Sequence, residues 1–231
     1  MRNNYKSIGA ITRVNFTRTT WIAYLVAGIS FLNTFIQAFI YNLLGYSENS
    51  QVSEGNMLLL VLILSAILIP AVNFSKIMHL NGKKIDFFWA CLVNYIVFSA
   101  VISAVNLLLM YTYDKAMGST MILWNIAESF GWTKDGIIIA FLRQFAFYLL
   151  LAVAIHTLTS IQTFWYGWVV DLIITAIISV FIPIEPLRKL LLGFFYMVIF
   201  NPDALAHIAA CLALSALIYS IYIPVLSRKK I

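Results

Sequence analysis

Charge is the scarcest property of this chain: Asp, Glu, Lys and Arg make up only 10% of its 231 residues, against roughly 25% in an average soluble domain. An ordinary soluble protein is excluded on that ground. Nucleotide-binding and hydrolytic motifs are missing too. No G-x-x-x-x-G-K-[ST] occurs, because Gly82-Lys83-Lys84 has no glycine five residues earlier and is followed by Ile85. The chain therefore does not bind ATP in that way. There is no H-E-x-x-H, G-x-S-x-G or C-x-x-C and no glutamate pair inside an apolar run, so intramembrane hydrolysis has no visible nucleophile or metal site. The two cysteines, Cys91 and Cys211, fall in apolar runs without metal or disulfide spacing, and read as buried, reduced and structural. His79, His156 and His207 are dispersed and read as structural. The expectation is a chain that is not itself an enzyme and holds no cofactor or metal.

Apolar sequence is abundant instead. Hydrophobic residues are 62% of the chain and mean hydropathy is +0.92. They lie in blocks beyond the ~18 residues that mark a membrane-spanning helix. The blocks predict six spans, at 21–44, 57–77, 87–111, 137–158, 164–184 and 204–225. A seventh stretch, 187–200, has only 14 residues, the length of a re-entrant or interfacial segment. The first block is too long, and too directly followed by a second, for a cleaved signal peptide. The predicted fold class is all-α integral membrane, a single domain over 1–231.

Charge then sets orientation. The N-terminal segment (Arg2, Lys6, Arg13, Arg18), the loop after the second span (Lys76, Lys83, Lys84) and the final segment (Arg228, Lys229, Lys230) hold ten basic residues against one acid, Asp86. The alternate loops hold four basic residues, Lys115, Lys134, Arg188 and Lys189, against seven acids. Basic residues are retained on the cytoplasmic side of short loops, so both termini are predicted to be cytoplasmic, as an even span count also requires. The pI of 9.3 reflects this sorting by membrane side, and no nucleic-acid partner is expected. On a helix over 1–20, Arg2, Lys6 and Arg13 share one face while Ile8, Ile11 and Val14 fall on another. That pattern predicts an amphipathic helix lying at the lipid interface.

Polar residues inside spans usually face protein or water. The first span carries Ser30, Asn33, Thr34, Gln37 and Tyr41 on one helical stripe, and the fifth carries Asp171, Thr175 and Ser179 at four-residue intervals. Both a translocation path and interhelical hydrogen-bonding seams fit these stripes. Asp171 and Arg143 are the only charges well inside spans. A hairpin about residue 161 separates them axially by about 10 Å at ~1.5 Å per residue, which argues against a direct pair. Asp171, near the inner mouth, is then expected to be either solvated or bonded to an Asn or Gln of a neighbouring span, for which Asn73, Asn94, Asn106 and Gln144 are the candidates.

The order of these parts resembles the permease subunit of a type-2 ATP-binding-cassette exporter. One piece of the resemblance is Phe74-Ser75-Lys76-Ile77-Met78-His79-Leu80-Asn81-Gly82-Lys83-Lys84-Ile85-Asp86-Phe87-Phe88, similar to the basic junction from which the third span starts in many Gram-positive permeases. The other is Ile182-Pro183-Ile184-Glu185-Pro186 through Asn201-Pro202-Asp203-Ala204-Leu205, similar to the re-entrant outer helices and the Asn-Pro start of the last span. Small size without a large outer domain resembles the branch that exports peptides or confers immunity to peptide antibiotics, including the phenol-soluble-modulin exporter.

The resemblance implies a multi-pass cell-membrane subunit, paired with a second permease copy as a homodimer. Two copies of a separate ATPase would bind ATP and Mg. Residues His79, Leu80, Asn81, Gly82, Lys83, Lys84, Ile85 and Asp86 would couple to that ATPase. Ser30, Asn33, Gln37, Tyr41, Asp171 and Thr175 would line the translocation path between the two copies. Phe194, Phe195, Tyr196 and Phe200 would form an outer gate. The cargo would be an amphipathic or antimicrobial peptide or another lipophilic compound. Two other readings stay open: a proton-coupled secondary transporter using Asp171, and a non-transporting membrane assembly subunit.

Overall fold

The structure is a computed structural model that describes residues 2–44, 50–117 and 122–229. Helix α1 (Arg2–Leu44) is one uninterrupted rod of 43 residues, roughly 60 Å long at 1.5 Å per residue. No proline interrupts it, and the basic N-terminal segment continues into the first apolar block without a break. Its buried stripe is Ile11, Asn15, Thr19, Ile22 and Val26, spaced by four, four, three and four as one helix face requires. Ile11 thus joins the bundle core, although sequence alone assigned this face to lipid.

Strand β1 (Ser50–Val52) pairs in parallel with β2 (Ile122–Trp124) in a short ribbon. Apolar periodicity gave no sign of it, since three-residue strands carry too few residues to show a period of two. Ser53 then caps α2 (Glu54–Leu68), its Oγ accepting from the Gly55 amide. A π turn over Ile69–Asn73 joins α2 to α3 (Phe74–His79). Pro70 sits at the start of that turn, and the Phe74 amide bonds to the Ile69 carbonyl, five residues back. After a tight turn come α4 (Lys84–Leu109), a second π turn over Met110–Asp114 and the short α5 (Lys115–Met117).

Helix α6 (Ile126–Ser129) follows β2, and α7 (Ile137–Ile161) follows a 3-10 turn at Trp132–Asp135. Helices α8 (Trp165–Phe181) and α9 (Glu185–Phe195) meet at a 117° bend. Asp203 caps the last helix, α10 (Ala204–Arg228), its Oδ1 accepting from the amides of Leu205 and Ala206.

Among the described residues, four helices are long and apolar enough to cross a membrane: Glu54–His79, Lys84–Asp114, Ile137–Ile161 and Ala204–Arg228. The bent pair Trp165–Phe181 and Glu185–Phe200 makes a fifth if it counts as one span. The main core gathers Val61, Leu62, Phe74, Phe87, Tyr95, Val153 and Tyr222 from α2, α3, α4, α7 and α10. Helix α8 packs Tyr166 and Val170 against that core, but it is exposed along most of its length and buries only Gly167. The bundle has a loop end, holding the α3–α4 turn, and a ribbon end, holding β1 and β2.

Candidate functional site

At the loop end, α3 stops because Asn81 adopts a left-handed conformation, φ 59°. The Gly82 amide then reaches back to the Ile77 carbonyl at 2.9 Å and the Asn81 amide to Met78 at 3.0 Å. This is the paired-bond Schellman arrangement that satisfies the last carbonyls of a helix. Gly82 is required by close approach, since a Cβ there would lie 2.5 Å from Ile77 Cγ2 and 2.8 Å from the Ile77 carbonyl oxygen. The turn is therefore stiff, and it holds Leu80 82% exposed at its tip, beside exposed His79, Asn81, Lys83 and Ile85.

Two members of the sequence-predicted set face elsewhere. Asp86 is buried in the first turn of α4. Lys84 Nζ donates to the carbonyls of Ser227 and Lys229, each at 2.8 Å. The surface open to a partner is consequently His79, Leu80, Asn81, Lys83 and Ile85. It combines one cation with exposed apolar groups.

On α1, the Ser30 hydroxyl bonds to the Glu54 carboxylate of α2. Ser30 and Asn33 line a pocket of about 300 Å³ between the two helices, with Leu25, Ile29, Met57 and Leu60. The side chains of Gln37 and Tyr41 lie outside the described ones, as do residues 48 and 230 altogether. On α8, Asp171 accepts a 2.6 Å hydrogen bond from Gln162 Nε2, and Thr175 is exposed. None of the four anticipated amides meets Asp171. Asn73 bonds to Asn15 (3.0 Å), Asn94 to Thr19 (3.4 Å), Asn106 to Asn125 and Gln144 to the Tyr148 hydroxyl (2.8 Å). The four are consumed by the packed bundle, whereas α8 lies beside it, so the loop residue Gln162 is the amide within reach.

Arg143 does not pair with Asp171. It is 2% exposed, binds Asp135 at 3.3 Å and donates to the Asn201 carbonyl. The aromatic residues of α9 and of the π turn that follows it (Tyr196–Phe200) do not form one closed cluster. Phe194 and Phe195 meet edge to face at 5.6 Å, Tyr196 is exposed, and Phe200 packs 5.2 Å from Phe130. Phe130 in turn touches the fully buried Trp132, whose Nε1 donates to the Ile199 carbonyl at 2.8 Å.

Sequence reasoning missed two polar assemblies. Near the loop end, Asn73 Nδ2 donates to Asn15 Oδ1 and Asn15 Nδ2 lies 3.6 Å from Cys91 Sγ. Asn15 sits one helical turn from Thr19 and four residues from Ile11, so the stripe itself was the available signal. At the ribbon end, Asp114 Oδ2 accepts from Ser53 Oγ (2.6 Å) and Asn125 Nδ2 (3.2 Å), and Asn125 also donates to Asn106 Oδ1 (3.0 Å). Those residues come from three separated segments, Asn106 and Asp114 sharing the helical run Lys84–Asp114, and no local pattern connects them to Ser53 and Asn125. A cavity of about 570 Å³ adjoins this network, lined by Tyr111, Asp114, Glu128 and Thr133 among others. Among the described residues, no three His, Cys, Asp or Glu side chains gather as a metal site.

Comparison with family models, with curated proteins and with solved structures returns no match.

Proposed function

We propose that this chain is the membrane permease subunit of an ATP-driven exporter, powered by a separate ATPase and moving amphipathic peptides or other lipophilic compounds outward. The observation that carries the reading is the α3–α4 turn. A stiff, solvent-facing knob with Leu80 at its tip and Lys83 and Ile85 beside it joins two helices long and apolar enough to cross a membrane. Such a knob fits a groove on a soluble partner, and its rigidity suits it to transmit force. In this reading the second half of α1 and helix α8 complete six spans, the stretch 187–200 that follows α8 is re-entrant, and both termini are cytoplasmic.

The peripheral position of α8 supports a second copy of the chain. Asp171 and Thr175 place polar groups on a helix that the bundle leaves largely uncovered, and α1 presents an exposed face through Leu32, Ile36 and Phe39. Polar groups facing hydrocarbon are costly, and a homodimer seated on α1 and α8 would turn both faces onto a shared path. The partner ATPase, in two copies, would hold ATP and Mg. Outward release then requires only that the ATP-bound conformation bind cargo less well.

The test is purification of the tagged chain from its own membrane in mild detergent, with identification of bound subunits by mass spectrometry. A P-loop ATPase should accompany the wild type and be lost from Leu80→Glu and Lys83→Glu variants that still insert. If none accompanies the wild type in several detergents, the exporter reading fails.

A further inference from the structure

Lys229 turns back into the bundle and is only 6% exposed. Its Nζ donates to the Pro70 carbonyl at 3.1 Å and sits 4.6 Å from the centroid of the Phe74 ring. Lys84 closes the arrangement from the other side by taking the carbonyls of Ser227 and Lys229, which as the last acceptors of α10 lack helical donors. Three mechanical parts meet here: the π turn at Ile69–Asn73, the start of α4 and the end of α10.

A permanent staple would bury an apolar side chain or pair its charge. Lys229 does neither, and among the described residues no carboxylate forms an ion pair with it. One carbonyl and a ring face compensate an ammonium poorly for lost hydration, so water is an attractive alternative. The π turn beside it has already shifted its hydrogen bonding to the carbonyl five residues back, a register frequent at functional sites. The same π turn that supplies the Pro70 carbonyl also carries Asn73, which begins the buried chain Asn73–Asn15–Cys91. Asn73 also lines a pocket of about 410 Å³ shared with Val14, Thr17, Trp21 and Lys76, so water needs little movement to reach it.

We propose that Lys84 and Lys229 are positioning residues forming a releasable clasp, which ties the α3–α4 turn to the end of α10 and whose opening admits water to Cys91. Its role in transmitting a partner's push rests on the exporter reading; its existence does not. Displacement of the turn pulls Lys84 off the Ser227 and Lys229 carbonyls, and the end of α10 follows or lets go.

The full chain carrying Cys211→Ser, which leaves Cys91 as its one thiol, is labelled in open membrane fragments with a small water-soluble maleimide. Lys229→Met keeps the volume and removes the reason to leave, so Cys91 should label at least about fivefold more slowly than in the parent. Lys229→Glu and Lys84→Met should label faster by a similar factor, and Lys229→Arg should stay near the parent. Opposite responses to Met and Glu distinguish a clasp from general destabilisation, which speeds labelling in both; melting temperatures in detergent check that every variant folds. Equal rates in all variants, or faster labelling in Lys229→Met, overturn the clasp. Labelling is then repeated with the co-purified ATPase and ATP. A response in the parent but not in Lys229→Met supports the transmitting role. Failure to find any ATPase removes the exporter reading and leaves the labelling result standing.

Discussion

The indole Nε1 of Trp132 donates a 2.8 Å hydrogen bond to the carbonyl of Ile199, joining the turn before α7 to the π turn after α9. Trp132 is fully buried, and its ring packs against Phe130, Phe147 and His207. Substitution Trp132→Phe keeps most of the packing and loses the hydrogen bond, costing about 1 kcal/mol. Trp132→Ala opens a cavity and should cost about 3–5 kcal/mol. Melting temperatures in detergent should fall in that order; equal falls would mean that the hydrogen bond, and not the packing, holds α9 in place.

Arg143 performs a related task one layer away. Its guanidinium is buried, while its partner Asp135 is 46% exposed, so the ion pair itself is weakened by solvent. The larger loss in Arg143→Met is the charged hydrogen bond to the Asn201 carbonyl, which supports the start of α10. The expected cost is about 2 kcal/mol, with partial recovery in Arg143→Lys. Asp171→Asn should leave the melting temperature nearly unchanged, because among the described residues Asp171 forms no ion pair and takes its hydrogen bond from the loop residue Gln162. A matched fall in both variants would contradict this separation.

Much of this architecture was legible because apolar blocks announce themselves. The predicted spans at 57–77, 87–111, 137–158 and 204–225 fall inside Glu54–His79, Lys84–Asp114, Ile137–Ile161 and Ala204–Arg228. Each helix runs further than its apolar block because caps and polar turns extend it, as Ser53 does for α2. The break near residue 183 was legible from Pro183 and Pro186, which cannot continue a helix freely. Pairings between distant side chains were not legible. Lys229 reads as one more cation of a basic segment, and nothing local reveals that its stem enters the core beside Phe74. Lys84 reads the same way as Lys83, yet one is spent on carbonyls and the other faces solvent.

The α3–α4 turn offers a test confined to backbone geometry. Gly82→Ala forces a Cβ into Ile77 and should distort the turn. Asn81→Gly, at φ 59°, relieves the left-handed position and should be neutral or slightly stabilising, while Asn81→Val should cost about 1–2 kcal/mol. Loss of partner binding in Gly82→Ala, with a retained melting temperature, would locate the effect in the shape of the knob. Unchanged binding in both Gly82→Ala and Asn81→Val would show that Leu80 does not depend on a rigid turn.

The burial of Lys229 makes stability depend on pH in a stated direction. Removal from water pushes its ammonium below the ordinary value of 10.5, with neighbouring Cys91 acting in the opposite sense. Well below the lowered value the side chain is charged in both folded and unfolded chains, and the folded state carries the whole cost of burying it. Between the lowered value and 10.5 the unfolded chain binds more protons than the folded one, so stability rises with pH across that window. Above 10.5 both forms are neutral and the cost is gone. Lys229→Met lacks this dependence, and every other titrating group is common to the two proteins. The melting temperature of the wild type relative to Lys229→Met should therefore climb as pH is raised from neutrality toward 10.5 and then level off. A difference that stays flat would mean that the Lys229 ammonium is hydrated in the folded chain; one that falls would mean that an anion stabilises it there.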